Sequence, residues 1–380
     1  MKIALVQDQL LTRAGSERAF LYMAQEFREA DLYTLCYNPE TTWPEFKNFR
    51  ITTSPLDRVI RDHGRFKTLF PVSSVWMEHW DFSDYDLIIT SSATTAKYIG
   101  KFKGPHICYC YFPTRAIWSF DSYFGPTRGA LAGIFGLLLL WFKKRDLAAA
   151  RRVSQFIAIS QSSASAIRAV YGREAAVLHC PIDVKRFAEG AKRPQQDYFL
   201  LVSRLEQWKQ VDYAIDAFNR LELPLRVIGT GPDEAKLRAL AGPGISFDGA
   251  VDDEALIRAY GEARAVVFPP ELEYGLVPLE ANAAGTPVIA LGRGGVLETM
   301  VGRNDRDGRK PTAVLYPEPT AECLIEAVRE FRATEFSRED LMAHVAPFDV
   351  AEFRRRLRAM VNEFLATGGI ATRIPSRRGA

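Results

Sequence analysis

The chain has 380 residues, 47% of them hydrophobic, 25% charged and 12% aromatic. At about 150 residues per domain there is room for two or three domains, and a composition near the globular average excludes a disordered, collagenous or coiled-coil chain. Lys and Arg total 49 against 46 Asp and Glu, a net charge of +3, too balanced for a dedicated nucleic-acid binder. Five cysteines without paired spacing fit a reducing compartment rather than a secreted disulfide scaffold.

The first residues, Met-Lys-Ile-Ala-Leu-Val, read as a strand rather than a signal peptide. A strand over 3–6 is followed by an amphipathic helix over 17–27, and a strand over 86–90 by helical residues 93–98. The stretch 130–142 is almost purely apolar, with Arg128 before it and Lys143, Lys144 and Arg145 after. A bilayer span needs about 20 such residues, so two readings stay open: a buried core or lid helix, or a helix lying on a membrane surface with its cations on headgroups. Further on come a strand over 156–159 and a helix over 162–171. The second half reads strand 199–202, helix 211–221, strand 225–228, helix 234–240, strand 265–268, helix 278–284 and strand 287–291. Such alternation implies parallel sheets with crossover helices. The turn-rich stretch 187–197 predicts the seam between domains 1–187 and 197–350. A helix over 351–368 packs back on the first domain, and 369–380 forms a frayed tail.

Chemistry concentrates in loops after strands, where doubly wound sheets bind ligands. The densest string runs over 268–287. Its loop carries Glu271 and Glu273; Gly275 lets backbone approach a ligand; Pro278 suits a first helical turn. A helix opening there offers free N–H groups to an anion such as a diphosphate, and Glu280 can accept both hydroxyls of a ribose. Any one of these residues alone reads as a loop or a cap. Arg204 and Lys209, after the strand 199–202, can neutralise a diphosphate whose charge grows as a sugar departs. In the first domain, Arg13-Ala-Gly15-Ser16-Glu17 opens a helix, as a phosphate-facing loop or as an ordinary start capped by Ser16. Gly292-Arg293-Gly294-Gly295 suits a backbone wrapped around a phosphate or a sugar.

The 268–287 string resembles the signature of the retaining glycosyltransferases of family 4: a Glu, seven residues, a second Glu and Ala, then Gly-Thr-Pro-Val. Glu280, Ala281, Gly285, Thr286, Pro287 and Val288 match, while the first Glu falls on Leu272, between Glu271 and Glu273. The resemblance implies an α/β chain of GT-B fold, two doubly wound Rossmann-like domains facing a central cleft. It implies donor binding by Gly15, Ser16, Arg204, Lys209, Glu271, Glu273, Tyr274, Gly275, Leu276, Val277 and Glu280, with Arg204, Lys209 and Glu273 catalytic. Ala14 stands where the family has the first of two glycines. The segment 106–115 is similar to one in which many relatives, bacterial polysaccharide mannosyltransferases above all, carry His at the place of Tyr111. Tyr111 and Leu272 are therefore candidate sugar contacts, and the donor leans to GDP-mannose.

His106 reads as structural, Cys108 and Cys110 as small buried side chains rather than zinc ligands, and Asp84-Tyr-Asp86 as the start of a strand rather than a metal pair. No metal and no cofactor is expected beyond the nucleotide sugar. The resulting expectation is a retaining, metal-independent hexosyltransferase. It would move a sugar, mannose by preference, from a nucleotide diphosphate to a saccharide or lipid-linked acceptor in bacterial polysaccharide or glycolipid synthesis. It would be cytoplasmic and peripheral on the inner membrane face. The alternatives are a non-catalytic donor-binding partner subunit, suggested by Leu272 and Tyr111, and a nucleotide-sugar epimerase.

Overall fold

The computed structural model describes residues 1–119, 132–305 and 308–369. The described residues divide into two compact units: Met1–Cys180 with Phe353–Gly369, and Pro181–Glu352.

The first unit is built on β1 (Ile3–Gln7), β2 (Asp31–Thr34), β3 (Ile51–Thr53), β4 (Leu87–Ser92), β5 (His106–Cys110), β6 (Gln155–Ala158) and β7 (Ala175–Val177). All pairings are parallel, in the order β3-β2-β1-β4-β5-β6-β7. β1, β4 and β5 are buried at every position, as strands covered on both faces must be. The sheet grows from β1 to β3 in one direction and restarts with β4 on the other side of β1, so its order reverses between β1 and β4.

The second unit repeats the plan with β8 (Phe199–Val202), β9 (Leu225–Ile228), β10 (Ile245–Gly249), β11 (Val266–Phe268), β12 (Val288–Leu291) and β13 (Ala313–Tyr316), ordered β10-β9-β8-β11-β12-β13. The reversal lies between β8 and β11. Alternate residues of β8 feed two cores. Phe199 and Leu201 join Ala214, Phe218, Leu324 and Val328, while Leu200 joins Tyr260, Phe268 and Leu279. Two parallel α/β sheets with crossover helices are thus observed where strand–helix alternation implied them.

Three local expectations need correction. Residues 93–98 form no helix, because the Asp8 carboxylate draws the backbone N–H groups of Ala93, Thr94, Thr95 and Ala96 to itself at 2.5–2.9 Å. The stretch 187–197 is no seam. Phe187 packs edge-on against Tyr260 at 5.7 Å, and Arg338 donates to the carbonyls of Ala191 and Arg193 at 2.6 and 3.0 Å. A Cβ on Gly190 would stand 2.7 Å from the Ile257 carbonyl. This stitching moves the boundary back to Cys180/Pro181. From Phe353 onward the helix Val350–Thr367 counts with the first unit. Phe353 meets Tyr109 at 5.8 Å, and Arg354 and Arg358 both pair with Glu26, at 3.0 and 2.8 Å.

The third correction concerns 130–142. Residues 130 and 131 lie outside the described residues; from Ala132 the backbone is helical to Arg152. Leu137, Leu138, Leu140 and Trp141 are 70, 50, 55 and 45% exposed, which rules out core burial for this part. The far half of the helix is what the core holds. Asp146 is fully buried, 2.8 Å from the Lys97 ammonium. It accepts hydrogen bonds from Tyr98, Thr114, Trp118 and Tyr171. No described helix is long and apolar enough to cross a membrane.

Candidate functional site

In an open parallel sheet, ligands bind beyond the carboxyl ends of the strands where the order reverses. In the second unit that position belongs to β8 and β11, and the two strongest motifs follow these two strands. After β8, the Arg204 guanidinium donates to Glu206 Oε1 at 2.6 Å, and Trp208 Nε1 donates to Glu206 Oε2 at 2.7 Å. Lys209 Nζ stands 4.0 Å above the Trp208 ring. One carboxylate thus orients the first cation and the ring that carries the second. Arg204 stays 59% exposed while Glu206 is 14% exposed, so the guanidinium keeps donors for a further anion. The loop is braced from below: Gly229 has φ +132°, and a Cβ there would lie 1.9 Å from the Ser203 carbonyl oxygen.

The two motif loops are tied together. Tyr213, in the helix Val211–Leu221 that follows Lys209, donates to the carbonyl of Pro269, first residue after β11, at 2.7 Å. Its hydroxyl is also 2.8 Å from that of Tyr316. Burial pushes the Tyr213 phenol well above its usual range, so it stays a donor.

Beyond β11, Glu271 is exposed, Leu272, Glu273 and Tyr274 are half-buried, and Gly275 is buried. Leu272, Tyr274, Leu276 and Val277 pack against the core that contains Phe268 and Leu279. Leu272 forms a parallel bridge with Gly294, and its carbonyl accepts the Gly295 N–H at 2.7 Å. This contact gives the glycine turn, expected to wrap a phosphate or a sugar, a packing reason. A Cβ on Gly294 would meet the Leu272 carbonyl oxygen at 2.3 Å, and one on Gly295 the Glu273 carbonyl oxygen at 2.2 Å. Gly275 likewise has a packing reason, since a Cβ there would lie 2.9 Å from the Phe268 ring. The helix Leu276–Ala283 then starts without a side-chain cap. Glu280, one turn in, accepts the Tyr260 hydroxyl on Oε2 at 2.8 Å. Burial first, and the Glu280 charge second, push the Tyr260 phenol well above its usual range.

In the first unit, the loop after β1 opens the helix Gly15–Glu26 from Ala14, whose extended φ of −98° puts no strain on alanine. Ser16 is not the cap: its hydroxyl donates to Glu17 Oε2 at 2.7 Å. Glu17 is buried and also accepts Thr12 and Gln9; burial raises its carboxyl above the usual carboxylate range. Tyr111 donates to the Ser16 carbonyl at 3.0 Å and lies 3.0 Å from Ser91 Oγ. It therefore braces the Gly15–Ser16 turn from the end of β5. His106 is buried against Thr90 at 3.0 Å, and burial pushes its pKa down to about 3. Asp86 accepts the Lys2 backbone N–H at 2.6 Å. Among the described residues no group of three or more His, Cys, Asp or Glu is arranged to hold a metal ion. Sequence reasoning missed Glu206, Tyr213 and Tyr260. Glu206 was legible as an acid between two cations, but nothing in the sequence links Tyr260 to Glu280.

Residues 184–344 match the family profile described as Glycosyl transferases group 1, and residues 13–186 match that of Glycosyltransferase Family 4. The O-antigen chain mannosyltransferase C of Escherichia coli is 28% identical over 155 residues, 39% of this chain and 40% of the relative. A glycogen synthase of Mycobacterium tuberculosis is 34% identical over 169 residues, 40% of each. The matched stretches therefore span well under half of either relative. Among solved structures, Anabaena HepE in complex with UDP superposes with a TM-score of 0.68 at 16% identity, over 96% of this chain and 100% of the other. At that identity the likeness speaks for the GT-B fold alone.

Proposed function

We propose that this chain, which belongs to glycosyltransferase family 4, moves a sugar from a nucleotide diphosphate donor to a saccharide acceptor. The observation that carries the reading is that Arg204, Lys209 and Glu280 follow β8 and β11, the adjacent strands at which the second sheet reverses its order. Arg204 and Lys209 neutralise the diphosphate, and their hold strengthens as the sugar leaves and charge builds on the phosphate oxygens. The uncapped start of the helix Leu276–Ala283 adds N–H donors for the same anion. Glu280 accepts the ribose hydroxyls, and Glu273 accepts hydroxyls of the donor sugar.

The reaction needs no side-chain nucleophile. A departing phosphate oxygen takes the proton of the acceptor hydroxyl on the face the leaving group vacates. The anomeric configuration is retained and no metal is required. Catalysis is then positioning plus charge stabilisation. The donor is GDP-mannose, a reading supported by the segment 106–115 and by the named activity of the Escherichia coli relative.

The acceptor is a lipid-linked saccharide in bacterial polysaccharide or glycolipid synthesis, and the protein works peripherally on the inner membrane face. What supports this is the exposed side of the helix Ala132–Arg152. Leu137, Leu138, Leu140 and Trp141 are followed along it by exposed Lys144 and Arg151, the pairing of apolar and cationic side chains that suits an anionic lipid interface.

The test is incubation of the purified chain with GDP-mannose, UDP-glucose and ADP-glucose, each with and without bacterial membrane extract. The expected result is nucleotide release with sugar incorporation, strongest for GDP-mannose, only with extract. A new nucleotide sugar formed without extract would favour an epimerase. Donor binding without turnover on any donor would favour the non-catalytic subunit.

A further inference from the structure

Tyr260 lies in the helix Asp253–Glu262 and is fully buried. Three contacts fix it. Its ring packs edge-on against Phe187 at 5.7 Å. Its backbone carbonyl accepts the Thr286 hydroxyl at 2.6 Å. Its own hydroxyl donates to Glu280 Oε2 at 2.8 Å. Thr286 and Glu280 stand on either side of the C-terminal end of the helix Leu276–Ala283, so one residue grips the chain beyond this helix and a carboxylate on it.

We infer that Tyr260 is a positioning residue for nucleotide binding: its hydroxyl holds the Glu280 carboxylate oriented for the two ribose hydroxyls. The inference rests on the proposed ribose role of Glu280. A carboxylate offers about four acceptor sites, and the phenol occupies one of them, on Oε2. A phenol locked by burial on one side of the carboxylate restricts rotation about the last side-chain bond, which is otherwise soft. The phenol itself does not ionise near neutrality, because burial and the adjacent carboxylate both oppose a second negative charge.

Tyr260→Phe keeps the ring and its packing and removes only the donor. The experiment is calorimetric titration of the full chain with GDP, UDP and ADP, and with the 2′,3′-dideoxy form of whichever binds tightest. Wild type, Tyr260→Phe and Glu280→Ala are compared at pH 7.5, with thermal melts as a check on folding. For Tyr260→Phe, the Kd of the ribonucleotide should rise about fivefold to tenfold at pH 7.5. The dideoxy nucleotide should bind wild type and Tyr260→Phe alike. If Tyr260→Phe weakens both nucleotides equally, or leaves affinity unchanged while Glu280→Ala weakens binding, the positioning role is overturned and the ribose role of Glu280 stands. If Glu280→Ala changes nothing, or none of the three nucleotides binds wild type, the ribose reading falls and takes this inference with it.

Discussion

Gly294→Ala probes the contact that gives the candidate donor loop its shape. Gly294 has φ +67°, and its new Cβ would stand 2.3 Å from the carbonyl oxygen of Leu272. Gly249 is the matched control in the same unit, with φ +71° and nothing within 4 Å of its Cβ. Both substitutions carry the left-handed backbone cost of about 1–2 kcal/mol. Only Gly294→Ala must also push away a carbonyl that is held by the Gly295 N–H at 2.7 Å. Losing that bond adds about 1 kcal/mol and displacing packed backbone adds a similar amount. The expected losses are about 3–4 kcal/mol for Gly294→Ala and about 1–2 kcal/mol for Gly249→Ala. Urea unfolding read by hydrogen exchange on peptides of the second unit measures both without interference from the first. Nucleotide titration adds the functional readout, with affinity falling for Gly294→Ala and holding for Gly249→Ala. Equal stability losses together with wild-type nucleotide affinity in Gly294→Ala would refute the claim that the glycine turn holds the loop.

Arg204→Ala and Lys209→Ala should each lower turnover by roughly two orders of magnitude, about 3 kcal/mol of lost stabilisation of the leaving phosphate; near-full turnover at saturating donor in both would remove the diphosphate role. His106 makes stability fall with acid: its pKa is about 3 in the fold and about 6.5 unfolded, so below pH 6.5 only the unfolded chain takes up the proton. The loss reaches about 2 kcal/mol at pH 5, and His106→Gln should flatten that part of the profile; an unaltered slope would show that His106 is not its source. Leu137→Ser combined with Trp141→Ser should cut sedimentation with vesicles containing phosphatidylglycerol about tenfold. Both side chains are exposed, so stability should move by less than about 1 kcal/mol, and unchanged vesicle binding would end the membrane reading.

Apolar runs closed by turn residues were legible to the residue: β8, β9 and the helices Val211–Leu221 and Glu234–Leu240 all begin and end where the pattern does. Short strands with little apolar content were not. β3 is Ile-Thr-Thr with no buried position, and β10 alternates half-buried with exposed; their partners in the sheet define them. The segment 93–98 has helical residues, but its backbone donors are claimed by Asp8 from 85–88 positions away. The stretch 187–197 has a linker's composition, yet Gly190 belongs to a close contact with Gly261, whose Cβ would stand 1.9 Å from the Gly190 carbonyl oxygen. The candidate donor motifs were legible because they are local strings after strands. What orients them, Glu206 and Trp208 excepted, comes from distant parts of the chain.

That distinction bears on Leu272, the departure from the family's first Glu. A shift of the loop by one residue would bring Glu271 or Glu273 to the missing position, and the sequence allows it. The packing opposes it. Leu272 is bridged to Gly294, its carbonyl is bonded to Gly295, and its side chain packs on the core beneath. A one-residue slip would put a carboxylate against that core, unpaired, at a cost of several kcal/mol. It would also set a new carbonyl against glycines already in close contact. The register is therefore fixed with the aliphatic side chain inward, and the carboxylate proposed for the donor sugar is a neighbour as it stands. Glu271 is exposed. Glu273 is half-buried, its own carbonyl sits against Gly295, and it is the next residue but one before the buried Gly275 that opens the helix. The glycine turn that excludes the slip is the same feature that holds Glu273 beside the uncapped helix start. On this reading the departure at 272 moves the carboxylate one position along a rigid loop instead of removing it.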